Sequence, residues 1–170
     1  MKTLWLLRHA KSAWNTNAPS DFERPLAKRG RRDAPKMGQW LAGKQVTVDR
    51  VVCSTATRAR QTLKGVCEHW PVASATLTYS DDLYHAGTQT LVTELHGASH
   101  AEQSLMLVGH NPGLDSLLVR LVGRDQVPQT DNYKMMTTAA LAQVELEGWQ
   151  AKSGRLLALI RPKELASRFS

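Results

Sequence analysis

Cysteine is scarce in this 170-residue chain, which also contains no low-complexity stretch. The two cysteines, Cys53 and Cys67, have no paired spacing, which argues against a disulfide framework and against a cysteine-based zinc site. We interpret both as buried small hydrophobic residues in a reducing compartment. The apolar stretch before Arg8 is shorter than a signal-peptide core, and no later run is long enough to span a membrane. The sequence therefore predicts a cytoplasmic protein without membrane association.

Acidic residues are outnumbered by basic ones, 15 against 22, and the formal net charge is +7. This excess favours anionic ligands without distinguishing a metabolite from an acidic protein or a nucleic acid. The basic segment 28–32 (KRGRR) has no interleaved aromatic residues, which disfavours nucleic-acid binding. It is either a solvated helix face or a docking patch for an acidic partner. The chain is long enough to bury about 70% of its unfolded surface, so we predict a single domain over residues 1–170.

Two predicted strands end in a histidine. Residues 3–7 are apolar or β-branched and stop at Arg8 and His9, and the apolar run 105–108 stops at a glycine followed by His110. In open α/β sheets the ligand crevice lies beyond the carboxyl ends of the strands. We therefore expect both histidines to reach the same crevice.

Hydrophobic periodicity and turn-forming residues predict the order β-α-β-α-β-α-β-α-β-β. Residues 12–25 are rich in Asn, Pro, Ser and Asp and are predicted to form a long loop. The remaining predicted strands cover residues 49–53, 76–79, 139–146 and 155–161. The predicted helices cover residues 26–42, the segment capped by Ser54 or Thr55, residues 88–97, and the segment whose first turn contains Pro112. We predict an α/β fold, a three-layer α/β/α sandwich around a mostly parallel sheet.

Residues near the starts of two helices are predicted to complete the crevice. Arg58 lies one turn into the second predicted helix, near the same sheet edge, and could point at the same pocket as Arg8. Asn111 and Gly113 are expected to leave free backbone amides near His110, and a helix N-terminus of this kind favours an anion.

Two arginines and two histidines around one crevice supply hydrogen-bond donors and positive charge without a carboxylate ligand. This set suits a phosphoryl group better than a divalent metal. A neutral imidazole can attack phosphorus directly, and fixed cations stabilise the charge on the transferring group. The sequence therefore predicts phosphoryl chemistry with no metal and no cofactor.

Three ordered segments resemble those of the histidine phosphatase superfamily, which is phosphoglycerate mutase-like. They are residues 8–15 (RHAKSAWN), 54–62 (STATRARQT) and 108–113 (VGHNPG). The first segment departs from the family pattern, with alanine for the usual glycine and lysine for the usual acidic residue. The short length, the RPL at 24–26 followed by Gly30, and the LYHA at 83–86 are most similar to SixA-type phosphohistidine phosphatases. The resemblance implies a phosphoglycerate mutase-like fold.

The resemblance also implies residue roles. His9 would be the nucleophile that becomes transiently phosphorylated. The residues that would hold the phosphoryl group are Arg8, Arg58 and His110, with Ser12 and Asn15 as secondary contacts. Three histidines outside the motifs are interpreted as ordinary surface or partly buried residues, namely His69, His96 and His100.

The expected general acid is missing from this sequence. Many relatives have a glutamate after the third strand, whereas this chain has His85 there, preceded by Asp81 and Asp82. Expelling an alkoxide needs protonation, because the pKa of its conjugate acid is close to that of water, about 15.7. Imidazole leaves more easily, because the pKa of its conjugate acid is about 6.5. We therefore expect hydrolysis of phosphohistidine on a protein, with His85 or Asp82 as an auxiliary acid at most.

Other functions stay open at this stage. The substrate could be a phosphorylated protein, such as a histidine phosphotransfer domain, or a small phosphorylated molecule cleaved by a general phosphomonoesterase. A non-catalytic phosphate-binding or docking module that uses the basic segment 28–32 is a further alternative. A mutase is disfavoured by the short chain, which has little room to retain a bisphosphate intermediate. We expect a monomer that binds neither nucleic acid nor membranes.

Overall fold

The computed structural model describes residues 1–168, and in it the predicted order of strands and helices is confirmed. In chain order the elements are β1 (Lys2–Arg8), α1 (Lys28–Gly43), β2 (Arg50–Ser54), α2 (Thr57–Cys67), β3 (Leu77–Ser80), α3 (Thr88–His96), β4 (Ser104–Gly109), α4 (Gly113–Val122), β5 (Leu141–Leu146), β6 (Gly154–Ile160) and α5 (Pro162–Arg168). The final helix α5 was not predicted. The predicted single domain extends to residues 169–170, which lie outside the described residues.

The strands form one sheet in the order β3-β2-β4-β1-β5-β6. The first four of these are parallel, whereas β5 runs antiparallel to β1, and β6 runs antiparallel to β5. The mostly parallel sheet is therefore confirmed. Its register pairs Arg8 of β1 with Gly109 of β4, so the residues that follow these two strands leave the sheet side by side.

Side chains of β1 alternate between two hydrophobic cores, as the pleat of a strand requires. Leu4 and Leu6 pack with residues of α3 and α4 on one face of the sheet. Trp5 and Leu7 pack on the other face with residues of α1 and α2 and with Leu165 of α5. This arrangement is the predicted three-layer α/β/α sandwich.

The predicted helix starts need correction. Neither Ser54 nor Thr55 caps α2, which begins at Thr57 with Ala56 in the cap position and no side-chain cap. The Ser54 hydroxyl instead accepts a hydrogen bond from the Ala56 amide at 3.2 Å. Helix α4 begins one residue after Pro112, which occupies its cap position.

Helix α1 begins later than predicted because the preceding backbone has other partners. The residue pair Ser12 and Leu26 forms an isolated antiparallel bridge. The Leu26 amide also donates a hydrogen bond to the side-chain oxygen of Gln61 in α2, at 2.8 Å. The helix therefore starts at Lys28 and not at residue 26.

Two glycines allow helices to contact the loops around the crevice. A Cβ atom on Gly30 of α1 would lie 2.2 Å from the Lys11 carbonyl oxygen, and one on Gly113 of α4 would lie 2.2 Å from the Ala86 carbonyl oxygen. No side chain fits at such distances. The start of α1 is thereby packed directly on the backbone just beyond His9.

Both cysteines are free thiols. Cys53 is fully buried in the core, as predicted, and burial raises the pKa of its thiol to about 12. Cys67 is only partly buried, although it packs against the same core. Among residues 1–168, no helix has the length and apolar character needed to cross a bilayer.

Candidate active site

The ends of β1 and β4 bring the two predicted histidines together. His9 and His110 each follow directly after their strand, and their ring centroids are 5.1 Å apart. The backbone of His9 is held on both sides: its amide donates to the Gly109 carbonyl, and its carbonyl accepts from the Ala139 amide, both at 3.0 Å. The imidazole of His9 thus projects from a fixed main chain.

One hydrogen bond determines which nitrogen of His9 carries the proton. Its Nδ1 atom lies 2.8 Å from the Ala10 carbonyl oxygen, and that oxygen can only accept. Nδ1 therefore donates, and the lone pair of the neutral ring is on Nε2. Burial lowers the pKa of His9 to about 4, and the charges of Arg8 and Arg58 act in the same direction. At neutral pH His9 is an uncharged base with a free Nε2.

Arg8 and Arg58 approach the histidines from two different elements. Arg8 donates from Nη1 to the Met136 carbonyl at 2.8 Å, which fixes its guanidinium. The buried hydroxyl of Thr62 accepts from the Ala10 amide at 2.9 Å and donates to the Arg58 carbonyl at 2.7 Å. This hydroxyl therefore joins the loop after the nucleophile to the helix turn that carries Arg58.

Asp21 is a site residue that the sequence analysis did not predict. Its carboxylate lies 3.1 Å from Nη2 of Arg58, 3.3 Å from Nη2 of Arg24, and 2.6 Å from the hydroxyl oxygen of Tyr84. The Tyr84 hydrogen bond and the Arg58 charge lower the pKa of Asp21 to about 2. Asp21 is thus an anion at neutral pH and holds its three neighbours together.

Arg24 is a third guanidinium in the crevice, and it too was not predicted as a site residue. It is buried, it donates to the Ser12 hydroxyl, and its guanidinium stacks 3.7 Å above the ring of Trp14. Its position in the RPL segment that resembles SixA-type proteins was the available signal. The loop at residues 12–25 therefore contributes charge to the crevice.

His110 is oriented from the end of β2. Its Nε2 atom lies 2.8 Å from the hydroxyl oxygen of Ser54, which is completely buried. Burial lowers the pKa of His110 to about 3, and the neighbouring His9, Arg58 and His85 act in the same direction. His110 is therefore uncharged at neutral pH as well.

Three buried polar atoms in this crevice have no hydrogen-bond partner within the described part of the chain. They are Nε of Arg8, Nε of Arg58 and Nδ1 of His110. All three atoms belong to residues that line the cleft. The guanidinium groups around the cleft favour an anionic ligand.

Some of the remaining predicted site residues line the crevice, and others lie outside it. Ser12 lines the crevice, and so does His85, which stacks on Tyr84 with a centroid distance of 3.9 Å. Asp82 and Asn15 are exposed residues outside the lining. Of the two predicted auxiliary acids, only His85 therefore lies within reach of the site.

The start of α4 is partly paired within the chain. The Leu114 amide donates to the His110 carbonyl, and the Asp115 amide donates to the side-chain oxygen of Asn111, both at 3.1 Å. The first turn also carries the Asp115 carboxylate, which complements the helix dipole. Two first-turn amides are therefore already paired within the chain, whereas an anion bound by the Asn111 and Gly113 amides stays a prediction.

The crevice is a cleft of about 580 Å³, and among the described residues that line it Asp21 is the only carboxylate. Across residues 1–168, no group of three or more His, Cys, Asp or Glu side chains is arranged to hold a metal ion. Three histidines are exposed and lie outside the cleft, as expected: His69, His96 and His100.

Comparison with known proteins identifies the family. The sequence model of the histidine phosphatase superfamily (branch 1) matches residues 4–84. The chain is 31% identical over 148 residues to the phosphohistidine phosphatase SixA of Escherichia coli, and the alignment covers 85% of each protein. This chain belongs to the histidine phosphatase superfamily. Membership in it, together with the similarity to SixA, supports phosphatase activity.

Two further comparisons agree with membership in this superfamily. An uncharacterized protein of Mycobacterium tuberculosis is 36% identical over 145 residues, which cover 84% of this chain and 88% of that protein. The structure of a protein histidine phosphatase SixA in complex with tungstate superposes with a TM-score of 0.80 at 25% identity, over 96% of this chain and 99% of that one. The phosphoglycerate mutase-like fold expected from the motifs is thus confirmed.

Proposed function

We propose that this phosphatase hydrolyses phosphohistidine on a protein through a covalent phosphoryl group on His9. One observation carries the proposal: the only carboxylate that the described part of the chain places in the cleft cannot serve as a proton donor. Asp21 is tied to Arg58 and Tyr84, and its pKa is about 2, so it is deprotonated at neutral pH. The cleft therefore suits a leaving group that departs without a carboxylic acid.

Phosphohistidine has such a leaving group. When the other ring nitrogen of the substrate carries a proton, cleavage of the P–N bond releases neutral imidazole. The pKa of its conjugate acid is about 6.5, against about 15.7 for water, which approximates an alkoxide. General acid catalysis contributes roughly 10²–10⁴ in rate, and phosphate esters need it far more than phosphohistidine does.

In the proposed reaction, phosphorus undergoes two successive displacements. Nε2 of His9 attacks phosphorus, the P–N bond to the substrate imidazole breaks, and the Nδ1 proton stays hydrogen-bonded to Ala10. Water then attacks the phosphoryl group on His9, which releases inorganic phosphate and restores neutral His9. Throughout, the guanidinium groups of Arg8 and Arg58 stabilise the negative charge on the phosphoryl oxygens.

The cleft and the cysteines also bear on the metal requirement and the cellular compartment of the reaction. The cleft offers cations and imidazoles and only one carboxylate, so we propose a reaction without a metal ion, which predicts unchanged activity after EDTA treatment. The two free cysteines are consistent with a reducing cytoplasm. Phosphohistidine proteins that take part in phosphotransfer signalling are the proposed substrates.

The test follows the phosphoryl group. The protein is mixed with an aryl phosphate, a phosphoserine peptide or a phosphohistidine protein, quenched in alkali, and analysed by mass spectrometry for an adduct. His9→Ala should form no adduct and lose turnover by at least about 10³-fold. The exposed His69→Ala variant is the matched control and should behave like the wild type.

The substrate comparison decides between functions. Faster turnover of the phosphohistidine protein than of the phosphoserine peptide supports the proposal. The second candidate is a small-molecule phosphomonoesterase, which His85 at the cleft favours as a proton donor. Faster phosphoserine turnover that depends on His85 would support it. Binding without an adduct or turnover would indicate a docking module and contradict both.

A further inference from the structure

A second, larger groove adjoins the catalytic cleft. It measures about 1010 Å³ and shares Arg8, Lys11 and Thr138 with the cleft. Its walls come from the loop after β1, the first three turns of α1, residues 129–138 and the start of α5. A molecule whose phosphoryl group lies against His9 can therefore extend directly into this groove.

The groove is strongly positive. Its lining contains eight basic residues and three acidic ones, an excess of five charges in a chain whose formal net charge is +7. Six of the basic side chains have no carboxylate within salt-bridge distance in the part of the chain that is described. One is Arg8, which donates to the Met136 carbonyl, and the other five are Lys11, Arg29, Arg32, Lys134 and Lys163. These charges are therefore available to an outside partner.

Only some residues of the basic segment 28–32 line the groove. Arg29 and Arg32 line it, whereas Lys28 does not, and Arg31 turns back to donate to the Leu26 carbonyl at 2.9 Å. No carboxylate in the first turn of α1 offsets this charge. Cations at a helix N-terminus oppose the helix dipole and therefore lower the stability of the helix. A surface that only has to be solvated does not need cations at this position.

The walls are held by buried contacts. The Ala27 amide donates to the Lys11 carbonyl at 2.8 Å, and Gly30 packs against the same oxygen, which joins α1 to the loop after His9. On the other side, buried Arg161 donates to the Met135 carbonyl at 2.9 Å and to the Pro128 carbonyl at 2.5 Å. Hydrogen bonds and close packing therefore fix the positions of both walls of the groove.

The distribution of charge indicates the kind of partner. The free cations are mostly exposed and come from four separate segments, which suits carboxylates spread over a protein surface better than one compact anion. Among the described residues, the lining contains no aromatic side chain on which bases could stack, which disfavours a single-stranded nucleic acid.

We propose that this basic groove docks an acidic face of the phosphorylated protein beside the histidine that carries the phosphoryl group. The inference rests on the proposed function, because the groove binds the same substrate that the cleft dephosphorylates. Docking here would favour acidic protein substrates over small phosphate esters, which reach only the cleft.

The test uses two sets of charge-neutralising substitutions. The groove variant combines Arg29→Gln, Arg32→Gln, Lys134→Gln and Lys163→Gln. The control variant combines Lys64→Gln, Arg120→Gln, Arg124→Gln and Lys152→Gln, four exposed residues outside the groove, and has the same net charge. The substrates are two phosphohistidine peptides, flanked by glutamates or by glutamines, and an aryl phosphate.

We expect kcat/KM for the glutamate-flanked phosphopeptide to fall at least about 10-fold in the groove variant at low salt, and the difference to shrink as salt rises. Turnover of the aryl phosphate should stay within about twofold, which also shows that the variant is folded. The control variant should match the wild type with every substrate.

Binding of the unphosphorylated glutamate-flanked peptide, labelled with a fluorophore, separates this inference from the proposed function. Weaker binding to the groove variant alone supports docking even if no phosphohistidine peptide is hydrolysed, in which case only the proposed function fails. Equal binding to both variants overturns the docking inference. A single-stranded oligonucleotide that binds the groove more tightly than the peptide also overturns it.

Discussion

The carboxylate of Asp21 lies 3.1 Å from the guanidinium of Arg58, inside the cleft that we assign to phosphoryl transfer. The carboxylate of Asp21 thus forms an ion pair with Arg58, a cation that would also bind a phosphoryl group. The Arg58 guanidinium also donates to the Asp21 main-chain carbonyl at 2.8 Å, a contact that does not depend on the side chain. Orientation and charge at this position can therefore be separated by mutation.

Asp21→Asn should tighten anion binding. The substitution removes the charge that repels a phosphoryl dianion, while the main-chain contact still orients Arg58. The inhibition constant of tungstate, measured with an aryl phosphate, should fall roughly threefold to tenfold, a modest change because the site is partly open to solvent. A rise in that constant would show that orientation by the carboxylate outweighs its repulsion.

Ser54→Ala should impair catalysis through His110. The buried Ser54 hydroxyl lies 2.8 Å from Nε2 of His110, and its loss leaves both ring nitrogens without a partner. We expect kcat to fall about tenfold, and the free energy of unfolding to fall by about 1–3 kcal/mol. Thr93→Val removes a hydroxyl of α3 that lies outside the cleft, and it serves as the comparison. Equal pH profiles of kcat for Ser54→Ala and the wild type would falsify this role of Ser54.

Gly30→Ala should destabilise the protein and reduce activity together. The new Cβ atom would lie 2.2 Å from the Lys11 carbonyl oxygen, so α1 or the loop after His9 must move. We expect a loss of about 1–3 kcal/mol in urea unfolding. Gly43→Ala, at the other end of the same helix, meets no atom within 4 Å and should be neutral or slightly stabilising. A neutral Gly30→Ala would contradict the close packing.

The protein should lose stability in acid partly through His9. Its pKa is about 4 in the folded protein and about 6.5 when unfolded, so between these values only the unfolded chain binds the proton. The contribution of His9 is therefore fully present above pH 6.5 and is lost as the pH falls towards 4. Comparison of urea unfolding at pH 7 and pH 4.5 should show about 2–3 kcal/mol less acid destabilisation in His9→Asn than in the wild type. NMR titration of the His9 ring checks the pKa directly.

The four residues that the sequence placed at the crevice share one local property. Arg8, His9 and His110 end or follow a buried strand, and Arg58 lies one turn inside the next helix. Strand ends can be recognised from a change in hydrophobic pattern, and parallel strands bring such ends to one edge. The local pattern was therefore sufficient to predict that these residues meet.

Asp21 and Tyr84 could not be predicted in this way. Asp21 contacts Arg58 across 37 positions of sequence and Tyr84 across 63, and each of these contacts begins in an irregular loop. Loops lack the periodicity that indicates which side chains face inward. Their place in the site depends on tertiary packing, which only the structure shows.

Some features of the helix ends have local causes that the sequence did contain. Asp115 provides a negative charge in the first turn of α4, and Asn111 provides a side-chain acceptor for a first-turn amide. Part of this helix start is therefore paired by residues of the same segment. Helix α5 was missed because its seven residues are too few to show a hydrophobic stripe.

The central position of β1 determines when the protein becomes able to work during its synthesis. β1 is made before its partners β4 and β5, which leave the ribosome only after residues 109 and 146 are added. A nascent chain therefore carries an unpaired, apolar strand until those partners emerge, which makes it prone to aggregation. The backbone contacts from Gly109 and Ala139 to His9 form late as well. His9 is thus synthesised well before the residues that hold its backbone, and it becomes competent only after those residues have folded against it.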